Sequence, residues 1–204
     1  MKLLLFSDLH VNPETARRIV ERARLVDVMV GAGDFASVRR GLRTCIDVLR
    51  ASDKPAVLVA GNNESTEELA AACQGWPQAH VLHGSGVSIA GHEFFGLGGG
   101  VPVTPFGAWS YDFTEDQAAT LLQPAPAGCV LVSHSPPQGT VDRDGSGRSL
   151  GSVAVREAIT RLGPRLVVCG HIHASAGQHA MVGRTPVVNA GPYGVTWELA
   201  EEPT

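Results

Sequence analysis

The chain has little that would place it in a membrane. No apolar run in its 204 residues approaches the length of about 18 that a spanning helix needs. The apolar stretch that begins at Leu3 ends at Phe6, because Ser7 and Asp8 follow it. Such a stretch is too short for the apolar core of a secretory signal peptide. We therefore expect a cytoplasmic protein with no membrane partner.

Cysteine is also scarce. The sequence contains four cysteines, and no two of them have the Cys-x-x-Cys spacing. This excludes a zinc ribbon or a thioredoxin-like redox motif. A thiol beside an apolar run behaves as a small buried hydrophobe, and a chain without disulfide spacing suits a reducing compartment. All four are predicted to be structural residues: Cys45, Cys73, Cys129 and Cys169.

Positive charge is in short supply as well. The chain has 16 basic and 20 acidic residues, which gives a net charge of −4. It has no lysine-rich stretch. This balance disfavours the broad basic footprint that binds nucleic acid.

Hydrophobic residues make up 44% and charged residues 18% of the chain, so it can bury a core and is not disordered. We predict a single domain over residues 1–204 and leave the oligomeric state open.

Glycine and proline, by contrast, are plentiful, with 24 and 13 copies, and they predict many tight turns. Between them, apolar runs of strand length alternate with segments of helical period. Strands are predicted at 3–6, 26–30 and 55–60, with helices after an Asn12 cap, from Val38 and from Ser65. This β-α-β-α-β order predicts a parallel sheet with right-handed crossovers.

The second half of the chain has shorter strands. Candidates at 81–82, 87–89 and 93–95 precede a loop rich in glycine and proline at 98–107. Thr114 and Gln117 have the spacing of a capping box, which predicts the start of a helix. Another helix is predicted around 155–162, and further strands at 129–133, 166–169, 186–189 and 195–199.

Polar side chains follow five of the predicted strands. Ligands of open α/β sheets bind beyond the carboxyl ends of the strands, so these side chains are expected at one edge. One such segment is an ordinary turn, whereas five together predict a functional site. The segments are Asp8-Leu9-His10, Gly33-Asp34, Gly61-Asn62-Asn63-Glu64, Ser133-His134-Ser135 and Gly170-His171-Ile172-His173.

The chemistry of these residues predicts a site for two divalent ions. Carboxylate and imidazole groups are suitable ligands for Mn²⁺, Fe²⁺ or Zn²⁺, and ligand type alone does not choose among them. A carboxylate such as Asp34 can bridge two ions. Two ions about 3.5–4 Å apart can clamp a phosphoryl group and hold a bridging hydroxide as the nucleophile. Neighbouring glycines let the chain turn sharply beside the ions.

In this order, the segments resemble the calcineurin-like metallophosphoesterase family. The family pattern is Asp-x-His, Gly-Asp, Gly-Asn-His-Asp/Glu, a lone His and Gly-His-x-His, and the matching residues span Asp8 to His173. Segments 104–106, 133–139 and 189–191 are similar to its small-phosphodiesterase branch. The resemblance implies an α/β fold: a four-layer α/β/β/α sandwich of two mixed β-sheets.

The resemblance also implies a role for each motif residue. One ion would be held by Asp8, His10 and His173, the other by Asn62, His134 and His171, with Asp34 between them. Catalytic roles are implied for Asp34, Asn62, Asn63 and His134. The implied activity is that of a dinuclear metal-dependent hydrolase acting on ester bonds. Its favoured reaction is hydrolysis of a small or nucleotide-like phosphodiester by a metal-bridging hydroxide.

The sequence departs from the family pattern at two positions. The family usually has a histidine that protonates the leaving group where this chain has Asn63. Asparagine cannot deliver a proton, and loss of a general acid costs about 10²–10⁴-fold in rate. Another histidine of the chain could replace the missing general acid, and the candidates are His83, His92 and His179. Ser37 stands where the family often has an acidic residue, which predicts weaker support of the ligands.

Substrate-binding residues are less well marked. Arg148 lies in a glycine-rich loop between two of the motifs, where a guanidinium could hold a phosphate, and Ser135 adjoins His134. Trp109 and Tyr111 could stack on a nucleobase or be buried beneath the loop before them. Two alternative functions stay open. One is a low-activity or non-catalytic metal-binding interaction protein of the same fold, and the other is a DNA nuclease.

Overall fold

The computed structural model describes residues 1–200. The predicted domain over 1–204 therefore includes four residues that lie outside the described part. The strands are β1 (Lys2–Phe6), β2 (Val28–Gly31), β3 (Ala56–Leu58), β4 (Ala79–Val81), β5 (Ser85–Ile89), β6 (His92–Leu97), β7 (Val130–Ser133), β8 (Leu166–Cys169), β9 (His179–Val182), β10 (Thr185–Asn189) and β11 (Val195–Glu198). The α-helices are α1 (Pro13–Ala23), α2 (Leu42–Leu49), α3 (Thr66–Ala72), α4 (Glu115–Leu122) and α5 (Val153–Leu162).

The strands form two mixed sheets. The first has the order β11-β1-β2-β3-β4, in which β1 to β4 are parallel and β11 is antiparallel. The second has the order β5-β6-β7-β8-β10-β9, with parallel pairing from β6 to β10 and an antiparallel strand at each edge. Flanking helices complete the predicted α/β/β/α sandwich, which is confirmed.

Side chains that alternate between the two faces of each strand explain how the helices and the two sheets form layers. In β1, Leu4 and Phe6 pack with residues of α1, α2 and α3, whereas Leu3 and Leu5 face the other way. Successive side chains of a strand point to opposite faces of its sheet, so a strand covered on both faces is apolar throughout. Leu3 and Leu5 share a cluster with Val130 and Val132 of β7 and with residues of β8. The two sheets therefore meet face to face, while α4 and α5 cover the outer face of the second sheet.

The local signals at the helix starts are confirmed. Asn12 accepts a hydrogen bond from the Thr15 backbone N–H at the start of α1, and Pro13 occupies its first turn. Ser65 begins α3 and Thr114 begins α4, each with a complete capping box. Such caps satisfy backbone N–H groups that have no partner within the helix.

Several element boundaries and one strand differ from the sequence prediction. The second helix begins at Leu42 rather than at Val38, which is exposed and has a φ of +47°. The Val38 N–H is bound by the Asn63 side chain, so a distant contact overrides the helical period. The second strand begins at Val28 instead of residue 26. Strand β9 was missed because three of its four residues are exposed and leave no apolar run.

The parallel strands bring the sequence motifs together. Residues that follow β1, β2 and β3 in one sheet, and β7 and β8 in the other, contact one another across the edge of the sandwich. For example, the His171 N–H donates to Asp8 Oδ1 at 3.1 Å, and His134 Nδ1 lies 2.7 Å from the Ala32 carbonyl. Within residues 1–200, no helix has the length and apolar character needed to cross a membrane. The four cysteines are buried and unpaired, as predicted.

Candidate metal centre

Four side chains from three motifs form a first group of donor atoms. Asp8, His10, Asp34 and His173 each offer an atom that lies within 4.8 Å of the others. The two Nε2 atoms of His10 and His173 are 3.0 Å apart. His10 Nε2 lies 3.6 Å from Asp34 Oδ2, and His173 Nε2 lies 3.6 Å from Asp8 Oδ1.

A second group shares Asp34 with the first. Asp34, His134 and His171 offer atoms within the same 4.8 Å limit. His134 Nε2 lies 3.5 Å from Asp34 Oδ1 and 3.3 Å from Asn62 Oδ1. Because Oδ2 of Asp34 faces His10 and Oδ1 faces His134, one carboxylate serves both groups. All seven residues that the sequence marked as ligands therefore come together.

The backbone adopts unusual conformations to aim these side chains. Asp8, His10, Asp34 and His171 have positive φ angles of 56°, 42°, 57° and 65°. Residues with a Cβ avoid this region, and a surrounding structure that holds them there is typical of functional sites. Gly61 is required at its position because a Cβ there would overlap the Asp34 carboxylate.

Hydrogen bonds to backbone carbonyls fix the direction of two imidazoles, those of His10 and His134. His134 Nδ1 lies 2.7 Å from the Ala32 carbonyl, and His10 Nδ1 lies 3.2 Å from the Ala36 carbonyl. A backbone carbonyl accepts from a protonated nitrogen, so Nδ1 carries the proton and Nε2 is left as the donor atom for a metal. Asn62 is oriented similarly, because its Nδ2 donates to Ser110 Oγ at 3.0 Å and leaves Oδ1 toward His134.

Glu64 holds the turns that carry the ligands. Its carboxylate is fully buried and accepts from the N–H groups of Gly61 at 2.8 Å, Ala36 at 2.9 Å and Phe35 at 3.3 Å. It therefore joins the turn after β2 to the turn after β3. The weaker support that Ser37 predicts stays a prediction, because Glu64 contacts the N–H groups of Phe35 and Ala36 and not that of residue 37. Glu64 stands in the Gly61-Asn62-Asn63-Glu64 motif, but no role was predicted for it.

Burial disfavours the charged forms of Asp34 and His171. Burial, followed by the charge of Asp8, raises the pKa of Asp34 to about 7. Burial and the neighbouring imidazole of His134 lower the pKa of His171 to about 3, so His171 is neutral at pH 7. Neutral imidazoles and buried carboxylates that converge on a small volume are the donors that divalent transition metals prefer. The residues present therefore fit a pair of divalent ions, although they do not determine which metal.

Two predicted substrate-binding residues lie away from these donor atoms. Ser135 is fully buried, and its Oγ accepts from the Val101 N–H at 2.8 Å, so it is not available to a substrate. The Arg148 guanidinium is bound to Asp144, with Nη2 at 2.8 Å and Nε at 2.9 Å from Oδ2. Asp144, and not Arg148, lines the cavity beside the donor atoms.

The three replacement histidines also make their contacts elsewhere. His83 accepts from the Gly98 N–H at 3.1 Å and packs against Phe113. His92 begins β6 and contacts Arg165, and His179 lies in β9 against Trp197. The structure brings none of these three described residues to the donor atoms.

The two aromatic candidates have different environments. Trp109 lines the cavity that includes His10, Asp34, Asn62 and Asn63. Tyr111 instead packs against Phe113, and its hydroxyl lies 3.3 Å from Thr66 Oγ1. No role was predicted for Phe106, Leu150 or Tyr193, which line cavities beside the donor atoms. Phe106 lies in segment 104–106 and Leu150 in the glycine-rich loop of Arg148, whereas for Tyr193 an exposed position in a loop is the only signal.

The comparisons with known proteins agree with this geometry. A sequence model described as calcineurin-like phosphoesterase matches residues 1–175. The chain therefore belongs to the calcineurin-like phosphoesterase family, whose members are dinuclear metal-dependent and hydrolyse phosphoesters. No curated protein matches the sequence in the corresponding search.

Solved structures with the same fold are distant in sequence. The protein TT1561 of Thermus thermophilus is 18% identical, with 98% of this chain and 99% of that chain covered and a TM-score of 0.77. A dimetal phosphatase from Danio rerio is 15% identical, with coverages of 96% and 91% and a TM-score of 0.65. Phosphopantetheinyl hydrolase from Mycobacterium tuberculosis is 15% identical, with coverages of 93% and 88% and a TM-score of 0.56. At these identities the similarity establishes the fold alone.

Proposed function

We propose that this chain is a dinuclear metal-dependent phosphodiesterase that acts on a small or nucleotide-like substrate in the cytoplasm. The observation that carries the proposal is the position of Asp34 between two groups of donor atoms, with one carboxylate oxygen toward each. The first ion would be held by Asp8, His10 and His173, and the second by Asn62, His134 and His171. Mn²⁺, Fe²⁺ and Zn²⁺ all suit this set.

When bound, such ions polarise phosphoryl oxygens and lower the pKa of water, which makes a nucleophile at neutral pH. The chain contributes the geometry. Asn63 and Glu64 hold the Asp34 turn through backbone and side-chain hydrogen bonds. His10 and His134 present Nε2 because backbone carbonyls face Nδ1. Orientation of donors before the substrate arrives is a large part of the catalytic effect in sites of this kind.

A metal-screened activity panel tests the proposal. Protein loaded separately with Mn²⁺, Fe²⁺ or Zn²⁺ is assayed on bis-p-nitrophenyl phosphate, p-nitrophenyl phosphate and cyclic nucleotides. We expect turnover of diesters that is lost in Asp34→Ala and kept in Asp47→Ala, an exposed aspartate in α2. Absence of diester hydrolysis with every metal, together with no effect of Asp34→Ala, would refute the proposal.

The alternative of a non-catalytic metal-binding protein is favoured by one observation. Asn63 occupies the general-acid position, and its side chain is already bound at both ends, to Asp34 and to the Val38 N–H. Stoichiometric metal with no turnover of any phosphoester would support this alternative. A nuclease is tested by incubation with single-stranded DNA over a series of salt concentrations, where cleavage that weakens with salt would support it.

A further inference from the structure

Two separate cavities open beside the donor atoms. One, of about 410 Å³, is lined by Phe106, Trp109 and Leu150, and is called the Trp109 cavity below. The other, of about 370 Å³, is lined by Pro192 and Tyr193, and is called the Tyr193 cavity. His10 and His173 line both cavities, so the candidate metal centre lies where the two meet.

The Trp109 cavity has a flat aromatic wall. The rings of Phe106 and Trp109 stack with centroids 5.7 Å apart and an angle of 16° between their planes. Half of the Phe106 surface is exposed, at 51%. The wall is anchored to the centre itself, because Ser110 Oγ accepts from Asn62 Nδ2 at 3.0 Å. A planar aromatic group bound there would stack on a surface that is already in place.

The Tyr193 cavity is also apolar and held in place. Its walls include Ala176, Gly177 and Ala190 in addition to Pro192 and Tyr193. Arg22 donates to the backbone carbonyls of Tyr193 and Gly194, with the Gly194 bond at 3.0 Å. The segment that forms this wall is therefore fastened to α1. Small side chains on one side and an exposed aromatic ring on the other leave room for a second substituent.

Charge distinguishes the kinds of ester that these cavities suit. Among the described residues, neither cavity is lined by a lysine or an arginine. Of the two carboxylates that line the Trp109 cavity, Asp34 belongs to both groups of donor atoms and Asp144 is already paired with Arg148. A charged group beyond the reacting phosphate, such as a second phosphate, would find no basic side chain, and an unpaired buried charge is costly. Uncharged substituents have apolar surface to bind on both sides.

We propose, on the basis of the function proposed above, that the substrate is a phosphodiester with two uncharged organic substituents, one planar and aromatic in the Trp109 cavity and one apolar in the Tyr193 cavity. A phosphomonoester would fill one cavity only.

A matched pair of alanines allows each cavity to be narrowed separately by substitution. Ala174 lines the Trp109 cavity, Ala176 lines the Tyr193 cavity, and both are exposed, so a larger side chain does not disturb the core.

The kinetic test compares two diesters with the same leaving group, phenyl p-nitrophenyl phosphate and methyl p-nitrophenyl phosphate. We expect wild-type kcat/KM to be about tenfold or more higher for the phenyl ester. Ala174→Phe and Ala176→Phe should each lower kcat/KM for the phenyl ester by a similar factor. For the methyl ester only Ala174→Phe should lower kcat/KM. The p-nitrophenyl group of that ester needs the Trp109 cavity, whereas its methyl group still fits a narrowed Tyr193 cavity. Ala70→Phe, at an exposed position of α3 outside both cavities, is the control. Equal loss on both esters in both variants, or no loss in either variant, would overturn the inference.

A binding measurement tests the inference without turnover. Diphenylphosphinate has two aromatic substituents and no ester bond, and dimethylphosphinate is its small counterpart. In calorimetric titrations of the metal-loaded protein, we expect diphenylphosphinate to bind at least about tenfold more tightly than dimethylphosphinate. Ala174→Phe and Ala176→Phe should each reduce this difference in affinity. Equal affinities would overturn the inference. If no phosphoester is hydrolysed but the diphenyl compound still binds preferentially, the proposed function fails and the two-cavity assignment stands.

Discussion

Asn63 binds both oxygens of the Asp34 carboxylate. Its backbone N–H donates to Oδ1 at 2.9 Å, and its side-chain Nδ2 donates to Oδ2 at 2.7 Å. The Oδ1 atom of Asn63 accepts from the Val38 N–H at 2.7 Å. The residue that replaces the family's proton donor therefore holds the carboxylate shared by the two donor groups, and this relationship leads to the first two predictions.

Asn63→Ala should weaken metal binding. The substitution removes the donor on Asp34 Oδ2, and partners that orient a ligand contribute about 10–100-fold to metal affinity. Competition with a chromophoric chelator measures the affinity. Asn12→Ala, which removes a helix cap outside the site, is the control and should leave the affinity unchanged. An unaltered affinity in Asn63→Ala would show that this hydrogen bond does not position Asp34.

Asn63→His should increase the hydrolysis of alkyl phosphoesters more than that of p-nitrophenyl esters. An imidazole can protonate a poor leaving group, and general-acid catalysis contributes about 10²–10⁴-fold. A p-nitrophenolate leaves without that help, so it should gain less. The comparison uses kcat/KM for a methyl alkyl and a methyl p-nitrophenyl diester. Equal effects on the two would mean that position 63 does not control protonation of the leaving group.

The stability of the metal-free protein should fall as pH rises from 4 to 7. Burial raises the pKa of both Asp34 and Glu64 to about 7 in the folded state, whereas unfolded Asp and Glu ionise near pH 4. Between these values the two folded carboxyls keep protons that the unfolded state has lost, which lowers the free energy of unfolding as pH rises. His171, whose pKa is lowered to about 3, acts in the opposite sense below pH 6.5, so two groups that lower the stability oppose one that raises it. Urea unfolding at pH 5 and pH 8 measures the difference.

Asp34→Asn should reduce this pH dependence, because the amide has no proton to lose and its neutral group no longer raises the pKa of Glu64. Added metal should reverse the dependence in the wild type, because ligation requires the deprotonated carboxylate and competes with the proton below pH 7. An unchanged slope in Asp34→Asn would assign the effect to groups other than Asp34.

Glu64→Gln should destabilise the fold by about 1–3 kcal/mol. The buried carboxylate accepts three backbone N–H bonds, and a glutamine would turn its amide N–H₂ toward at least one of these donors. The free energy of unfolding from urea titration at pH 8 measures the loss. Glu21→Gln, an exposed residue of α1, is the matched control and should change stability by less than about 0.5 kcal/mol.

Arg148→Ala should raise KM by less than about fivefold, as expected for the loss of an exposed ion pair. Its side chain is 75% exposed and is bound to Asp144, which lines the Trp109 cavity. If Arg148 acts through Asp144, then Asp144→Asn should have the same effect and the double variant should add nothing. A large rise in KM confined to Arg148→Ala would instead assign the guanidinium a direct contact with substrate.

Much of the fold is encoded in local sequence patterns. The caps at Asn12, Ser65 and Thr114 depend on residues three positions apart, so the helix starts they predict are confirmed. The parallel sheet follows from strands that are apolar on both faces, such as β1, whereas the sandwich of two sheets was implied by the family resemblance. The start of α2 was wrong because it depends on a contact from Asn63, which lies 25 residues away in sequence. Periodicity has no information about such a contact.

The amino-acid sequence by itself identified the candidate ligands. They are Asp, Asn and His residues that follow strands, and a parallel topology places the ends of such strands at one edge of the sheets. The tertiary structure decided how these residues are used. It pairs Arg148 with Asp144, buries Ser135 and binds Asn63 to Asp34. It also forms two cavities whose walls combine motif residues with loop residues from distant parts of the sequence. Side-chain hydrogen bonds and cavity walls depend on distances between segments far apart in sequence, and only the folded chain sets those distances.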